Sequence, residues 1–170
     1  MKMVGVSDSP PQFKVVDNFL RPDYFDKIQK TVMGNNFAWY FVPIIADKEL
    51  DSDGYFVHNF FMNTIRSQRY DLILPLLDAL PKWQTLIRCK ANLYTRQAKV
   101  THHDYHKDLT YQHNVFLLSL NNNDGPFTIG KEEIPMKENR AVFFKSQTPH
   151  RSSACSDVQV RVTLTVNYIT

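Results

Sequence analysis

Four of the six histidines of this chain fall within twelve residues, at His102, His103, His106 and His113. Within this window, His106 and Asp108 form an H-x-D triplet. In an extended segment, residues i and i+2 point to the same side, so this imidazole and this carboxylate would converge on one point. Such nitrogen and oxygen donors bind transition metals. The triplet therefore predicts two ligands of a metal site.

A third ligand is expected from His150, which follows a short predicted strand at Ala141–Phe144 and a turn. Two histidines and one carboxylate on one face of a metal leave three positions open, which is the arrangement of non-haem Fe(II) oxygenases. Eleven residues further on, Arg161 lies on the polar face of the last predicted strand. A guanidinium that projects into a barrel can hold a carboxylate by two parallel hydrogen bonds. This spacing favours an iron(II) site with an arginine for an acidic ligand.

Other interpretations of the histidines stay open at this point. His102-His103-Asp104 is a second H-x-D triplet that competes with the first. His102 and His106 are also spaced i, i+4, which binds zinc on a helix, although Asp104-Tyr105 stands where a metalloprotease carries its glutamate and the flanks are not helical. The histidines could also be exposed loop residues that bind no metal. The presence of His150 and Arg161 in order favours the iron site.

Arg161 has an ordinary interpretation as well. An arginine in a strand is usually on a solvated face, where it contributes little to stability. Its neighbours on that face, Thr163, Thr165 and Asn167, could also line solvent. The interior of a barrel is favoured because His150 lies shortly before it in the chain.

The elements that must position these residues follow from hydrophobic periodicity. A helical pattern begins at Pro22 and ends at Gly34, and a second one covers residues 67–80. The aromatic-rich segment 35–61 has neither period, and its role stays open. Helices first and strands later predict an α+β domain whose C-terminal half is a sandwich or barrel. Strands are predicted at Phe13–Val16, 87–94, Asn114–Leu120, 126–129, Ala141–Phe144 and Val158–Tyr168.

Composition limits the kind of protein. With 170 residues the chain predicts one domain over 1–170, with 1–12 a loose lead-in, and 43% hydrophobic residues allow a core. A net charge of only +3 argues against a nucleic-acid partner. No apolar run is long enough for a membrane span, and no signal peptide is evident. Cys89 and Cys155 form no disulfide framework, which favours a reducing, cytoplasmic location.

The ordered motifs resemble the 2-oxoglutarate- and Fe(II)-dependent dioxygenases, and in detail their prolyl 4-hydroxylase-like branch. The H-x-D triplet, His150 42 residues after Asp108, and then Arg161 follow the family order. Residues 139–144, Asn-Arg-Ala-Val-Phe-Phe ahead of Pro149-His150, match a stretch of that branch, and residues 90–94 resemble the strand before H-x-D. Small phage-encoded members are similar in three further segments: Trp39-Tyr40, 53–58 and His103-x-x-His106-x-Asp108.

This resemblance implies a double-stranded β-helix, or jelly-roll, of cupin-like form with N-terminal helices packed on the major sheet. His106, Asp108 and His150 would bind Fe(II). Arg161 would bind the distal carboxylate of 2-oxoglutarate, helped by Tyr94 and Thr163, while the other end of this co-substrate chelates the metal and O₂ takes the last position. An unactivated C–H of a peptidyl, proline-like residue or of a small molecule would be hydroxylated, with release of succinate and CO₂.

Some consequences of the resemblance leave alternatives. The family places a further histidine three residues before the first ligand, and His103 fits that position. The fold also serves as a binding module, so a catalytically silent jelly-roll that keeps its metal site is the alternative function. The prime substrate is not fixed by these residues. A phage-encoded protein would work in the cytoplasm of its host.

Overall fold

The helical part of the chain is small. The computed structural model describes residues 13–44 and 54–170, and within them it contains α1 (Pro22–Val32), a 3₁₀ turn (Tyr70–Ile73) and α2 (Leu74–Asp78). Proline stands in the first turn of both α-helices, where its missing N–H costs nothing. At the end of α1, a Cβ on Gly34 would lie 2.6 Å from the Lys30 carbonyl oxygen. No helix in the described ranges is long and apolar enough to cross a membrane.

Thirteen strands are the main regular structure of the described residues. The first five are β1 (Phe13–Val16), β2 (Tyr40–Val42), β3 (Tyr55–Met62), β4 (Ile65–Arg66) and β5 (Thr85–Thr95). The next four are β6 (Thr101–His102), β7 (Asn114–Ser119), β8 (Phe127–Ile129) and β9 (Glu132–Ile134). The last four are β10 (Ala141–Lys145), β11 (His150–Arg151), β12 (Ser153–Ala154) and β13 (Val160–Ile169). Each strand predicted from the sequence is confirmed within a few residues.

The strands form one large and two small antiparallel sheets. The large sheet has the order β1-β10-β7-β13-β5-β3-β2, with β4 paired to β3. The small sheets are β11-β8-β9 and β12-β6. In the large sheet, β13 lies between β5 and β7, so neighbours in space come from distant parts of the chain. This order of antiparallel strands is that of a jelly-roll.

The large sheet is covered on both of its faces. Along β7, Phe116 and Leu118 belong to one hydrophobic cluster, whereas Val115 and Leu117 belong to a second. The first cluster includes the buried side chains of α1, and the second includes residues of the small sheet β11-β8-β9, such as Phe127. A strand that is buried on both sides has a continuous apolar sequence, and such a run at Asn114–Leu120 predicts β7.

Contacts of two polar residues connect the N-terminal segment to the sheet. Asn139 has a positive φ of 57°, donates from Nδ2 to the Leu20 carbonyl at 2.8 Å, and accepts from the Leu20 N–H at 2.9 Å. Arg140 makes a two-contact ion pair with Asp17. These contacts fix the turn into β10.

The aromatic-rich segment 35–61 contributes β2 and β3 to the edge of the large sheet. Trp39 packs against Phe37 at 5.1 Å between ring centroids, whereas Tyr40 is exposed. Residues 45–53 of this segment and the lead-in 1–12 lie outside the described residues. Cys89 in β5 and Cys155 in the loop after β12 are both buried and free.

Candidate functional site

A cavity of about 60 Å³ opens between the large sheet and the small sheet β11-β8-β9. Its floor is the polar face of β5 and β13, two strands whose alternation the sequence predicts. Their register sets Arg161 beside Tyr94, Thr163 beside Asn92 and Thr165 beside Lys90. Since successive strand residues point to opposite faces, all six of these side chains line the cavity.

Three predicted metal ligands come together at one wall of the cavity. The ligand atoms of His106, Asp108 and His150 all lie within 4.8 Å of one another, and no other such group of three occurs in the ranges 13–44 and 54–170. The backbones of His106 and His150 form a two-way bridge, with N–H to O distances of 2.9 and 3.1 Å. This bridge joins a segment that follows β6 to the start of β11.

The side chains of His106 and Asp108 converge as predicted, but the two residues do not lie in a regular strand. His106 lies in an isolated bridge and Asp108 in a bend, where its N–H donates to the Ser146 carbonyl at 3.1 Å. Convergence of the two side chains therefore comes from long-range backbone hydrogen bonds. Strand periodicity does not cause it.

The histidine rings are oriented for coordination. Nδ1 of His150 lies 2.8 Å from the Thr148 carbonyl oxygen, and Nδ1 of His106 lies 3.3 Å from that of Asp104. A carbonyl can only accept, so Nδ1 carries the proton and the Nε2 lone pair stays free in each neutral ring. Burial, and then the nearby His106, lower the pKa of His150 to about 4, so that its ring is neutral at pH 7.

Asp108 is held by residues that the sequence reasoning did not single out. Its Oδ1 accepts from Arg88 Nη2 at 3.3 Å, and its Oδ2 accepts from Asn167 Nδ2 at 2.9 Å. Asn167 also lies 2.9 Å from His113 Nε2 and accepts from Arg88 Nε at 3.1 Å. Burial opposes ionisation of Asp108, but the nearby His150 and Arg88 and the hydrogen bond from Asn167 keep its pKa below the usual value.

The sequence predicts the strand face of Arg88 and Asn167, but not that the two residues are neighbours. Alternation along β5 and β13 places Arg88 and Asn167 on the same face as the cavity-lining residues; Arg88 lines the cavity, and Asn167 is buried against Asp108. What alternation does not give is the register, which brings these two residues side by side.

Arg161 lies at the other end of the floor and is fully buried. Its Nε donates to the Gly125 carbonyl at 3.1 Å, but Nη1 and Nη2 have no hydrogen-bond partner. Thr163, Thr165 and Asn167 are at most 8% exposed, so the solvent-facing alternative for this strand face is excluded. A buried guanidinium edge without an acceptor costs several kcal/mol or more unless a ligand supplies one.

Tyr94 connects Arg161 to a second polar group. Its ring lies 5.4 Å from the Arg161 guanidinium carbon, and its hydroxyl accepts from Ser152 Oγ at 3.3 Å. Nδ1 of His103 lies 2.7 Å from the same Ser152 oxygen. Burial, and then the charge of Arg161, lower the pKa of His103 to about 4. His103 therefore lies behind Tyr94 as a neutral ring.

The competing sets of histidines do not assemble among the described residues. His102 lies in β6, not in a helix, and its Nε2 is 3.5 Å from Glu133 Oε1. A helical pair formed by His102 and His106, as the zinc interpretation requires, is therefore absent from this described segment.

The comparisons with known proteins come from structure alone. No family model and no curated protein matches the sequence. An oxidoreductase of the 2OG-Fe(II) oxygenase family from Burkholderia pseudomallei is similar at a TM-score of 0.72 and 13% identity, over 92% of this chain and 84% of that one. A Trichoplax adhaerens prolyl hydroxylase, in complex with a hypoxia inducible factor peptide fragment, is similar at a TM-score of 0.68 and 14% identity. The match covers 92% of this chain and 83% of that one.

A Pseudomonas putida prolyl-4-hydroxylase gives a TM-score of 0.61 and 15% identity over 94% of both chains. At these identities the likeness concerns the arrangement of the backbone. The chain thus has the jelly-roll fold of these oxygenases.

Proposed function

We propose that this protein is an Fe(II)- and 2-oxoglutarate-dependent dioxygenase that hydroxylates an unactivated C–H and releases succinate and CO₂. One observation carries the proposal. The same cavity holds a group of two histidines and a carboxylate at one wall and, at the end of its floor, a buried arginine edge with no acceptor.

The donor set fits Fe(II). Two imidazoles with free Nε2 atoms and one carboxylate are the facial set of non-haem iron oxygenases, and all three residues line the cavity. His106, Asp108 and His150 would hold the metal. Arg88 and Asn167 fix the orientation of Asp108, which is the role that outer partners play at metal sites.

The arginine end fits the distal carboxylate of 2-oxoglutarate. Nη1 and Nη2 of Arg161 present two parallel donors, and a carboxylate accepts both. Thr163 and Tyr94 lie beside Arg161 in the cavity wall, where their hydroxyls can add hydrogen bonds. Once a carboxylate is bound, the burial of Arg161 is compensated.

The protein itself supplies position and a dry site. Bound iron and 2-oxoglutarate provide the oxidising chemistry that consumes O₂. The apolar walls, Val115, Leu117, Phe127 and Phe144, exclude water from the cavity. Arg161 orients the co-substrate, and His106 and His150 present nitrogen donors.

The finer parts of the proposal rest on separate observations. A peptidyl, proline-like residue or a small molecule is the prime substrate, and the likeness to prolyl hydroxylases favours the first. The proposal includes one domain over 1–170, N-terminal helices packed on the major sheet, a likeness to phage-encoded members and a cytoplasmic location. Two free cysteines support the reducing location.

The test is formation of succinate. Protein loaded with Fe(II) without oxygen is mixed with 2-oxoglutarate and then exposed to O₂, and succinate is measured by mass spectrometry. We expect succinate above a metal-free control even without a prime substrate, because such enzymes turn over their co-substrate slowly by themselves. A protein that binds 2-oxoglutarate but forms no succinate would be the silent binding module.

A further inference from the structure

Besides Arg161 and Arg88, a third cation faces the cavity, and it has no role in the proposed reaction. Lys90 lies on the inner face of β5, beside Thr165 of β13, and lines the same cavity as the metal group. Any role for this cation rests on the proposed function and concerns the substrate that the site accepts.

Lys90 has no acidic partner among the described residues. Its Nζ lies 3.4 Å from the Tyr55 hydroxyl and 5.5 Å from the centre of the Tyr55 ring. The nearest candidate for an ion pair, Asp108, is already held by Arg88 and Asn167. Lys90 is only partly exposed, and an ammonium held away from water without an ion pair is costly unless a ligand supplies the counter-charge. Burial, and then the nearby Arg88, lower the pKa of Lys90 to about 8.

The co-substrate does not account for this cation. The Cα atom of Lys90 lies four residues from that of Tyr94 along β5, about 13 Å at ~3.3 Å per residue. Tyr94 is directly beside Arg161. A five-carbon diacid with C–C bonds of ~1.5 Å spans at most about 6 Å. Its distal carboxylate pairs with Arg161 and its other end is neutralised by the metal. The co-substrate therefore leaves no carboxylate to pair with the ammonium of Lys90.

Two stacked tyrosine rings lie between the guanidinium of Arg161 and the ammonium of Lys90. Tyr55 stacks on Tyr94 with centroids 5.4 Å apart and planes 14° apart. Arg161 contacts Tyr94, and Lys90 contacts Tyr55. The Lys90 ammonium, which lines the cavity, and the Tyr55 hydroxyl lie 3.4 Å apart, and together these two groups match the two oxygens of a carboxylate.

We propose that Lys90 and Tyr55 form a second carboxylate-binding subsite, which holds an acidic group of the prime substrate. The substrate class is then a small molecule with a free carboxylate, such as a free amino acid. An uncharged peptidyl side chain would leave the Lys90 ammonium unpaired. The carboxylate would fix the distance between the anchored end of the substrate and the C–H that faces the metal.

The test compares acids with their amides in the loaded protein. Mn(II) and saturating 2-oxoglutarate are added without oxygen, and binding of the free amino acids and of their carboxamides is measured by ligand-observed NMR. We expect at least one acid to bind at least tenfold more tightly than its amide. Lys90→Met should abolish this preference and leave the Kd of 2-oxoglutarate within about twofold. Lys99→Met, on the exposed loop after β5, is the matched control.

Each other outcome overturns the inference. Equal binding of acids and amides, no binding of either, or a preference that survives in Lys90→Met excludes the subsite. A tenfold weaker Kd for 2-oxoglutarate in Lys90→Met assigns the cation to the co-substrate instead. Tyr55→Phe, which removes only the hydroxyl, guards against a folding defect and should weaken the acid preference in part. If 2-oxoglutarate fails to bind the wild type, the proposed function itself fails.

Discussion

Arg161 is the residue whose surroundings depend most on a bound ligand. Its guanidinium is fully buried, its Nε is satisfied by a main-chain carbonyl, and its other two nitrogens face the cavity without acceptors. Burial lowers its pKa, although an arginine stays charged. The side chain is thus prepared for an anion before that anion arrives.

Arg161→Ala should mainly raise the 2-oxoglutarate requirement. Loss of one partner of a buried charge pair costs about 2 kcal/mol or more, so we expect a Kd at least about 30-fold higher. The measurement is calorimetric titration of the Mn(II)-loaded protein. Arg96→Ala, in the exposed loop after β5, is the control and should bind normally. An unchanged requirement in Arg161→Ala would contradict the assignment.

The two H-x-D triplets can be separated by single substitutions. Asp108→Ala or His106→Ala should abolish iron-dependent succinate formation and metal binding, because each removes one of three ligands. Asp104→Ala and His102→Ala, from the competing triplet, should retain both. Metal content by mass spectrometry and succinate release check these outcomes. Loss of metal in Asp104→Ala with retention in Asp108→Ala would favour the other triplet.

At the scale of elements, β5 and β13 were predictable because their alternation is local. Each places its polar residues on one face in the sequence itself, and the structure turns those faces to the cavity. The segment between β6 and β7 has no period, and its backbone is fixed by hydrogen bonds to distant residues such as His150 and Ser146. The backbone geometry of this segment could therefore not be predicted from the sequence pattern. The identity of its candidate ligands could be.

Asn139 tests how one side chain fixes an element. Asn139→Ala removes two buried hydrogen bonds to Leu20 and puts alanine at a positive φ, so we expect a loss of about 2 kcal/mol in the free energy of unfolding. Urea denaturation measures it. Asn139→Gly tolerates the φ and should lose less than Asn139→Ala. Equal stability of all three proteins would show that the turn does not depend on these contacts.

The molecule as a whole should respond to acid through its buried histidines. His103 and His150 have pKa values lowered from 6.5 to about 4, mainly by burial. In the unfolded chain these two histidines bind protons near pH 6.5, whereas in the folded chain they bind them only near pH 4. Stability of the metal-free protein should therefore fall as pH drops through this window, by about 1.4 kcal/mol per pH unit for each histidine.

Thermal melting of the metal-free protein between pH 7 and 4.5 checks this expectation. His103→Gln keeps a polar side chain near Ser152 without a titrating group, so its melting temperature should fall less steeply over the window. His102→Gln, at the exposed neighbour, should follow the wild type. A flat profile in the wild type would contradict the buried neutral state of both rings.

The pairing of β5 with β13 has a consequence for how the protein can be assayed. A slip of one residue between these strands would turn the polar residues of one strand away from the cavity, because the side-chain period of a strand is two. Arg161, Thr163 and Asn167 would then leave together. Catalytic output, if the proposed chemistry holds, is therefore all or none for each molecule. The specific activity of a preparation would count its correctly registered molecules and serve as a quality measure for refolded protein.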